Sequence, residues 1–424
     1  MPTALRIAVA ALVCTLVTPV HARAGDTVLT WNEIAINTAV ANGQSPFVQA
    51  RTNAVVALAV FEAVNTITGD YEPYLGTFDA PSGASVDAAA AAAAWRVLRT
   101  YFAANAATVA SLDAALANTL SGIPNGQAKD DGKQLGIDVA LAMIALRAND
   151  GAVPAAFKTP GAAVPGEWQA TPSCPVVNGV QVGVFLHWRN VTPFGVASVN
   201  DFILPPPPGL GTSQYAKDLA EVASVGLDTS VTRPPDRADV ARFYAASSPS
   251  YLFDSALRQV SQAEGRSSIS DNARALALVN MAISDALVAS FNNKYTYNLW
   301  RPETAIRGAA TDGNNKTDPN INYKPYIVTP CFPSYPSNHA SGSTAGAEML
   351  RRLYGADGHS IDLSNPAVPG LSFHYSGFRE IANDVDDARV YGGIHFRFDQ
   401  DAGNLLGRSI ATYVIKNNLK PTHP

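Results

Sequence analysis

Three short stretches in the last third of the chain carry residue types suited to an oxygen-rich anion. In the first, Lys294 and Arg301 stand seven residues apart. That is two helical turns, which predicts both cations on one face of a helix that Pro302 ends. In the second, Tyr335-Pro336-Ser337-Asn338-His339 runs into small, helix-compatible residues. The unpaired N–H groups of such a helix start, with the Ser337 hydroxyl, are ready donors to an anion. In the third, ARVYGGIHFRFD, Arg389 precedes His395 and Asp399 follows it by four residues. Asp399 can then hydrogen-bond one ring nitrogen and fix which nitrogen faces the site.

Two arginines, a lysine, a serine, a helix start and two histidines make a cradle for a tetrahedral or trigonal-bipyramidal oxyanion. One histidine, oriented by a carboxylate, would act as nucleophile or ligand, and the other would move protons. Each piece has a plainer reading. Lys294 with Arg301 alone reads as a solvated face, Ser337 as a helix cap, His339 as a surface residue, and His395 with Asp399 as a satisfied pair. Order and spacing, taken together, argue for a site.

The elements that must position these residues read as helices. Apolar residues recur at helical spacing over 48–67, over the alanine-rich 85–120 and over 127–148. No histidine falls between His21 and His187, so this half reads as scaffold. Residues 151–212 are dense in proline and glycine and end in a polyproline run at Leu204–Gly209, a connector; His187 within it reads as structural. Helical periodicity returns over 214–226, 236–247, 254–263 and 268–291, the last capped by Asp271 after Ser270, and again over 340–354 and 400–416. No run alternates long enough to predict a sheet. The expected fold is all-α, two helical bundles at 25–150 and 213–416 joined by the connector. Residues 312–318 resemble a calcium loop, but Lys316 falls on a ligand position, so they read as a turn-rich loop.

The chain has 424 residues, 47% hydrophobic and 15% charged, a globular composition with room for more than one core. Arg6, the apolar run Ile7–Val17 and Ala22-Arg23-Ala24 read as a secretory signal peptide over 1–24. The apolar run is short for a membrane span and no later stretch reads as one. The mature protein would begin near Gly25, be secreted or periplasmic, and have no membrane partner. Loss of Cys14 leaves Cys174 and Cys331 in an oxidising compartment, where a disulfide is expected over two buried thiols. The net charge of −5 becomes −7 when Arg6 and Arg23 leave with the leader, which argues against nucleic acid or anionic membrane as partner.

The motifs Lys-x6-Arg-Pro, Pro-Ser-x-His and Arg-x5-His-x3-Asp, in that order, resemble the signature shared by vanadium-dependent haloperoxidases and acid phosphatases of the phosphatidic acid phosphatase type 2/haloperoxidase superfamily. The longer stretches NARALALVNMAISDALVASFNNKYTYNLWRP, PCFPSYPSNHASGS and ARVYGGIHFRFD look like the haloperoxidase branch, with likeness over roughly 213–416. The resemblance implies vanadate as cofactor, with phosphate able to occupy the same site. Lys294, Arg301 and Arg389 would neutralise its oxygens, and Ser337 and the Asn338 N–H would hydrogen-bond them. His395 would be the vanadium ligand, oriented by Asp399, and His339 the acid–base residue. Lys294 would also polarise hydrogen peroxide, which oxidises halide to a hypohalous-acid-like species for an organic acceptor. Phe332 and Phe291 would lie beside the halide.

Two alternatives share the pocket. One is an acid phosphatase, in which His395 attacks phosphorus to form a phosphohistidine and His339 protonates the leaving group. The other is an impaired oxyanion-binding protein. A homodimer is compatible with either. Asn338 stands where the resemblance has Gly, and Ala388 where it has Ser. Asn tolerates positive φ best among non-glycine residues, so the Asn338 N–H contact is expected to persist while the side chain intrudes on the pocket. No acid stands at Ser247; Asp384, Asp386 and Asp387 would substitute for one or form a solvated helix end.

Overall fold

Asp26 accepts hydrogen bonds from the N–H groups of Val28 and Leu29 and so starts α1 (Thr27–Ala41). The computed structural model describes residues 26–264 and 268–423; the leader read at 1–24 lies outside the described residues. Ser45 caps α2 (Pro46–Thr68), whose first helical residue is a proline, and Gly69 closes it in the left-handed conformation at φ 72°. With α3 (Val86–Tyr101), α4 (Ala106–Ser121) and α5 (Gln127–Leu146) these form the first bundle. Its alanine run is a packing surface: Ala88 to Ala94 are fully buried in α3. The facing glycines of α5 let the backbones nearly touch, since a Cβ at Gly132 or Gly136 would lie 2.2 Å from the Ser85 or Ala89 carbonyl oxygen.

The connector holds one small hairpin, β1 (Val176–Val177) with β2 (Val180–Gln181). The second bundle contains α6 (Ser213–Val225), α7 (Pro235–Ala245), α8 (Pro249–Glu264), α9 (Ile269–Tyr297), α10 (Pro302–Arg307), α11 (Asn338–Tyr354), α12 (Phe378–Tyr391) and α13 (Arg397–Asn417). Helix α9 is its axis, buried along almost its whole length, and α2 packs against it, so one apolar core runs through both bundles. Both α2 and α9 are long and apolar enough to cross a membrane, yet 89% and 100% of their apolar windows are buried in protein. They are core helices.

Side chains of α9 also fix the connector. The Asp285 carboxylate accepts from the N–H groups of Phe194, Gly195 and Val196 at 2.6, 2.7 and 2.9 Å. Asn293 accepts from Leu204 N–H at 2.8 Å. Helices α11 and α13 meet at two glycines: a Cβ at Gly403 would sit 2.8 Å from the Ser337 carbonyl oxygen, and one at Gly407 would sit 2.4 Å from that of Ser341.

Four details differ from the sequence reading. A hairpin, β3 (Asp357–Ser364) with β4 (Ser372–Gly377), interrupts the helical second bundle. Only Ile361, Leu363 and Tyr375 of it are buried apolar residues, too few to announce alternation. Helices α1 and α12 lie where no helix was assigned. The cap of α9 is Ser268, three residues before the expected Asp271, which instead completes a capping box as its third residue. Lastly, α9 ends at Tyr297 because Asn298 turns left-handed at φ 50°, so Arg301 is not on the helix of Lys294. Arg301 is the cap residue of α10, which Pro302 begins rather than ends.

Candidate active site

The break after Asn298 turns Arg301 back toward the helix that carries Lys294, and both side chains are fully buried. Lys294 Nζ donates to the carbonyls of Pro333, Ser334 and Pro336 at 2.9, 2.7 and 2.5 Å. All three of its N–H bonds hold the 333–336 loop, so Lys294 reaches the pocket by its charge. Arg301 Nε donates to the Phe332 carbonyl at 2.8 Å, and Nη1 to the Ile394 carbonyl at 3.0 Å. The Phe332 ring covers the pair, 4.9 Å from the Arg301 guanidinium carbon and 5.3 Å from Lys294 Nζ.

His395 follows a turn that needs glycine: Gly393 has φ 82°, and a Cβ there would fall 2.3 Å from the Gly226 carbonyl oxygen. His395 Nδ1 lies 2.7 Å from Asp399 Oδ2, as the spacing predicts. Asp399 Oδ2 also accepts from Ser334 Oγ at 2.6 Å and from Phe396 N–H at 3.1 Å, while the Asp399 carbonyl accepts from Ser337 N–H at 2.9 Å. With Nδ1–H given to Asp399, Nε2 carries the lone pair, and Arg301 Nη1 lies 2.9 Å from it. Ser334, which the sequence reading passed over, joins the second and third motifs.

Ser337 caps α11, its hydroxyl accepting from Ala340 N–H at 3.3 Å. Asn338 is the first residue of that helix and is not among the residues with positive φ, which corrects the expectation of a left-handed backbone there. An N-terminal helical residue already points its N–H outward, so no such twist is needed. The Asn338 side chain is buried, its Oδ1 2.5 Å from Ser290 Oγ on α9. His339 is half-buried as a residue, while its Nε2 is buried without a partner among the described residues and the Ser247 backbone hydrogen-bonds the ring. Arg389, in the last turn of α12, is buried as well. Asp384 and Asp387 pair with Arg237, Asp387 also with Arg397, and Asp386 accepts from Asn404. The three acids are neither a solvated helix end nor partners of Arg389.

The electrostatics follow from three cations and one carboxylate buried together. Burial, then Arg301, drives Lys294 well below its ordinary pKa. Burial holds Arg301 down at about 9 and Arg389 at about 10. Burial and the neighbouring cations keep both His395 and His339 neutral, and burial pushes the Asp399 carboxyl up.

Arg301 Nη2, Arg389 Nε and Nη1, and Asn338 Nδ2 are buried donors without a hydrogen-bond partner among the described residues; His339 Nε2 is the one nearby ring nitrogen in the same state. Unused donors on a positively charged group of side chains call for an anion with several oxygens. The chemistry of this donor set fits vanadate or phosphate.

On the other flank, Phe332 meets Phe291 at 5.3 Å and Phe47 at 5.8 Å between ring centroids, and Phe47 meets Phe291 at 4.7 Å and Phe185 at 4.9 Å. Phe332 thus lies directly on the cations and Phe291 one ring behind. Phe47 on α2 and Phe185 in the connector were missed, since nothing marks a lone phenylalanine in a scaffold helix. Cys331, bonded to Cys174, pins the loop just before Phe332. His187 accepts from Ala156 N–H at 3.0 Å, as a structural residue would. The 312–318 loop is closed by its own bonds, Asp312 accepting from Asn314 N–H and Thr317 Oγ1, both at 2.8 Å. An open groove of about 790 Å³ between connector and α9, lined in part by His187, Arg189 and Asn292, lies apart from the cation group.

Residues 274–423, which contain all three motifs, match the family described as the VCPO second helical-bundle domain. The vanadium chloroperoxidase of Curvularia inaequalis is 26% identical over 193 residues, 35% of this chain and 32% of that protein. The vanadium-dependent bromoperoxidase of Ascophyllum nodosum is 32% identical over 155 residues, 33% of this chain and 28% of that protein. The matches thus span about a third of the length of these relatives. Among solved structures, a bacterial vanadium-dependent iodoperoxidase superposes with a TM-score of 0.79 at 24% identity, over 94% of this chain and 98% of that one. An apo-type bacterial vanadium-dependent chloroperoxidase follows with a TM-score of 0.70 at 16% identity, over 88% and 94%. Mostly helical, with the three motifs brought together in one buried group of side chains, the chain has the fold of these vanadium enzymes, and its residues 274–423 match the second helical-bundle domain of that family.

Proposed function

We propose that the protein is an exported vanadium-dependent haloperoxidase that uses hydrogen peroxide to oxidise halide for an organic acceptor. The observation that carries this over phosphate-ester hydrolysis is the Phe332 ring laid on Lys294 and Arg301 and backed by Phe291 and Phe47. A dry aromatic wall suits a weakly hydrated halide beside the cradle; a phosphomonoester's leaving alcohol would want polar company there. The Cys174–Cys331 bond supports an oxidising compartment, and so supports export.

His395 would hold the cofactor through Nε2, with Arg301 yielding that nitrogen and Asp399 keeping the proton on Nδ1. Arg301 Nη2, Arg389 and the first-turn N–H groups of α11 would carry its oxygens, and Lys294 would contribute charge without moving off the 333–336 loop. Bound vanadate supplies Lewis-acid activation of peroxide without changing oxidation state. His339, held neutral, has a free Nε2 lone pair and would accept the peroxide proton there and return it to the leaving oxygen. Phe332 would exclude water from the halide side.

The test loads the purified protein with vanadate and assays monochlorodimedone halogenation with peroxide beside p-nitrophenyl phosphate hydrolysis. Vanadate-dependent halogenation that disappears in His395→Ala supports this function. Hydrolysis inhibited by vanadate, without halogenation, would replace it with the phosphatase reading. Binding with neither activity would leave an oxyanion-binding protein.

A further inference from the structure

We propose that the Asn338 carboxamide is itself a donor of the oxyanion cradle and that Ser290 sets its direction. The side chain is 2% exposed, so it is not a solvated cap. Its oxygen is held by Ser290 Oγ at 2.5 Å, which makes the NH2 the free end of the amide, and Nδ2 is buried without a partner among the described residues. Leaving a buried amide donor unmet is costly unless something accepts from it.

The surroundings identify the acceptor. Ser290 lies one helical turn before Lys294 on α9, and Asn338 lies between Ser337 and His339 at the start of α11. The Ser290–Asn338 bond therefore spans the two helices that frame the cation group. Guanidinium N–H groups of Arg301 and Arg389, whose charges act on the adjacent His339, are also unmet among the described residues, so the partner that fits accepts from several donors at once. The oxygens of a bound phosphate or vanadate do so; a neutral alcohol, with one oxygen and a proton of its own, does not. Asn338 thus adds a donor to the cradle instead of obstructing it, at the one position where the sequence suggested an intrusion. Ser290 is a positioning residue, because it acts only through the amide.

This rests on the cradle binding an oxyanion, not on any turnover. Affinity of the vanadate-free protein for phosphate and for vanadate, measured by titration calorimetry, is therefore the readout, with circular dichroism melting to confirm folding. Losing a hydrogen bond to a charged acceptor predicts about 10- to 100-fold weaker binding in Asn338→Gly. Asn338→Asp, of the same shape but with a carboxylate against the anion, should lose more. Ser290→Ala should weaken binding by about 3- to 10-fold, and Ser290→Thr, which keeps the hydroxyl, should restore it. Unchanged or tighter binding in Asn338→Gly overturns the inference, as does a Ser290→Ala variant with wild-type affinity. Failure of the wild-type protein to bind either anion would overturn the cradle itself, a different result.

Discussion

Replacing Arg389 with methionine should make the protein harder to unfold while it loses its hold on oxyanions. Arg389 is buried, its Nε and Nη1 have no partner among the described residues, and its only resolved perturbation is burial. Its pKa near 10 stands against the 12.5 or more of an arginine in water, and each tenfold change in acidity is about 1.4 kcal/mol, so the buried charge costs the fold about 3 kcal/mol. Methionine fills a similar path without a charge or an unmet donor. We expect the denaturation midpoint in anion-free buffer to rise, by up to about 3 kcal/mol in unfolding free energy. Phosphate at 100 times its dissociation constant should add about 2.7 kcal/mol to the wild type and almost nothing to the variant at the same concentration. Guanidinium titrations of both proteins, with and without phosphate, give all four numbers. If Arg389→Met is less stable than wild type without phosphate, the charge is compensated by groups within the protein and the cost is misjudged. If phosphate stabilises both equally, Arg389 does not touch the anion.

Three further outcomes follow from the same structure. The Cys174–Cys331 bond closes a sequence separation of 157 residues, so the Cys174→Ser/Cys331→Ser double variant should lose about 5 kcal/mol by the loop-entropy relation. A denaturant midpoint that dithiothreitol does not move in the wild type would contradict that. Burial pushes the Asp386 carboxyl up to about 7, while in the unfolded chain it ionises near 4, so the native protein holds the extra proton between those values. Its contribution is present below about pH 4 and is lost as pH rises to 7, by about 1.4 kcal/mol per pH unit. Urea midpoints from pH 5 to 7 should fall less steeply in Asp386→Asn, and equal slopes would refute this. Phe47→Leu should cost about 1–2 kcal/mol of stability. It should change halide turnover while leaving phosphate affinity within about twofold; a matching loss of phosphate affinity would place Phe47 in the cradle.

Much of this site could be read from the chain because its chemistry needs particular residue types at short spacings. His395 and Asp399 are four residues apart and meet; Ser337 caps the helix that its neighbours suggested. What the sequence hid depends on backbone events or on distance. Asn298 breaks the helix between Lys294 and Arg301, and a left-handed asparagine looks like any other in sequence. The two cations still converge, but across a turn instead of along a helix face. Lys294 looked like a direct anion contact; its three N–H bonds are taken by carbonyls of a loop 39 to 42 residues on. The 357–377 hairpin has too few buried apolar residues to show its period. Phe47, nearly three hundred residues before Phe332, reaches it only because α2 packs on α9.

The glycines at 403 and 407 set a dimension that no reactive residue controls. They bring α13 onto α11 at backbone contact, so the stretch that starts with His395 and the stretch that starts with Ser337 are spaced by two positions with no side chain. A single methyl at Gly407 would meet the Ser341 carbonyl at 2.4 Å and force the helices apart. The bite of the pocket, the size of anion it can close on, is therefore written into the helix seam behind it. Alanine at either position would act as a shim, altering which oxyanion fits while every group that touches the anion stays chemically the same.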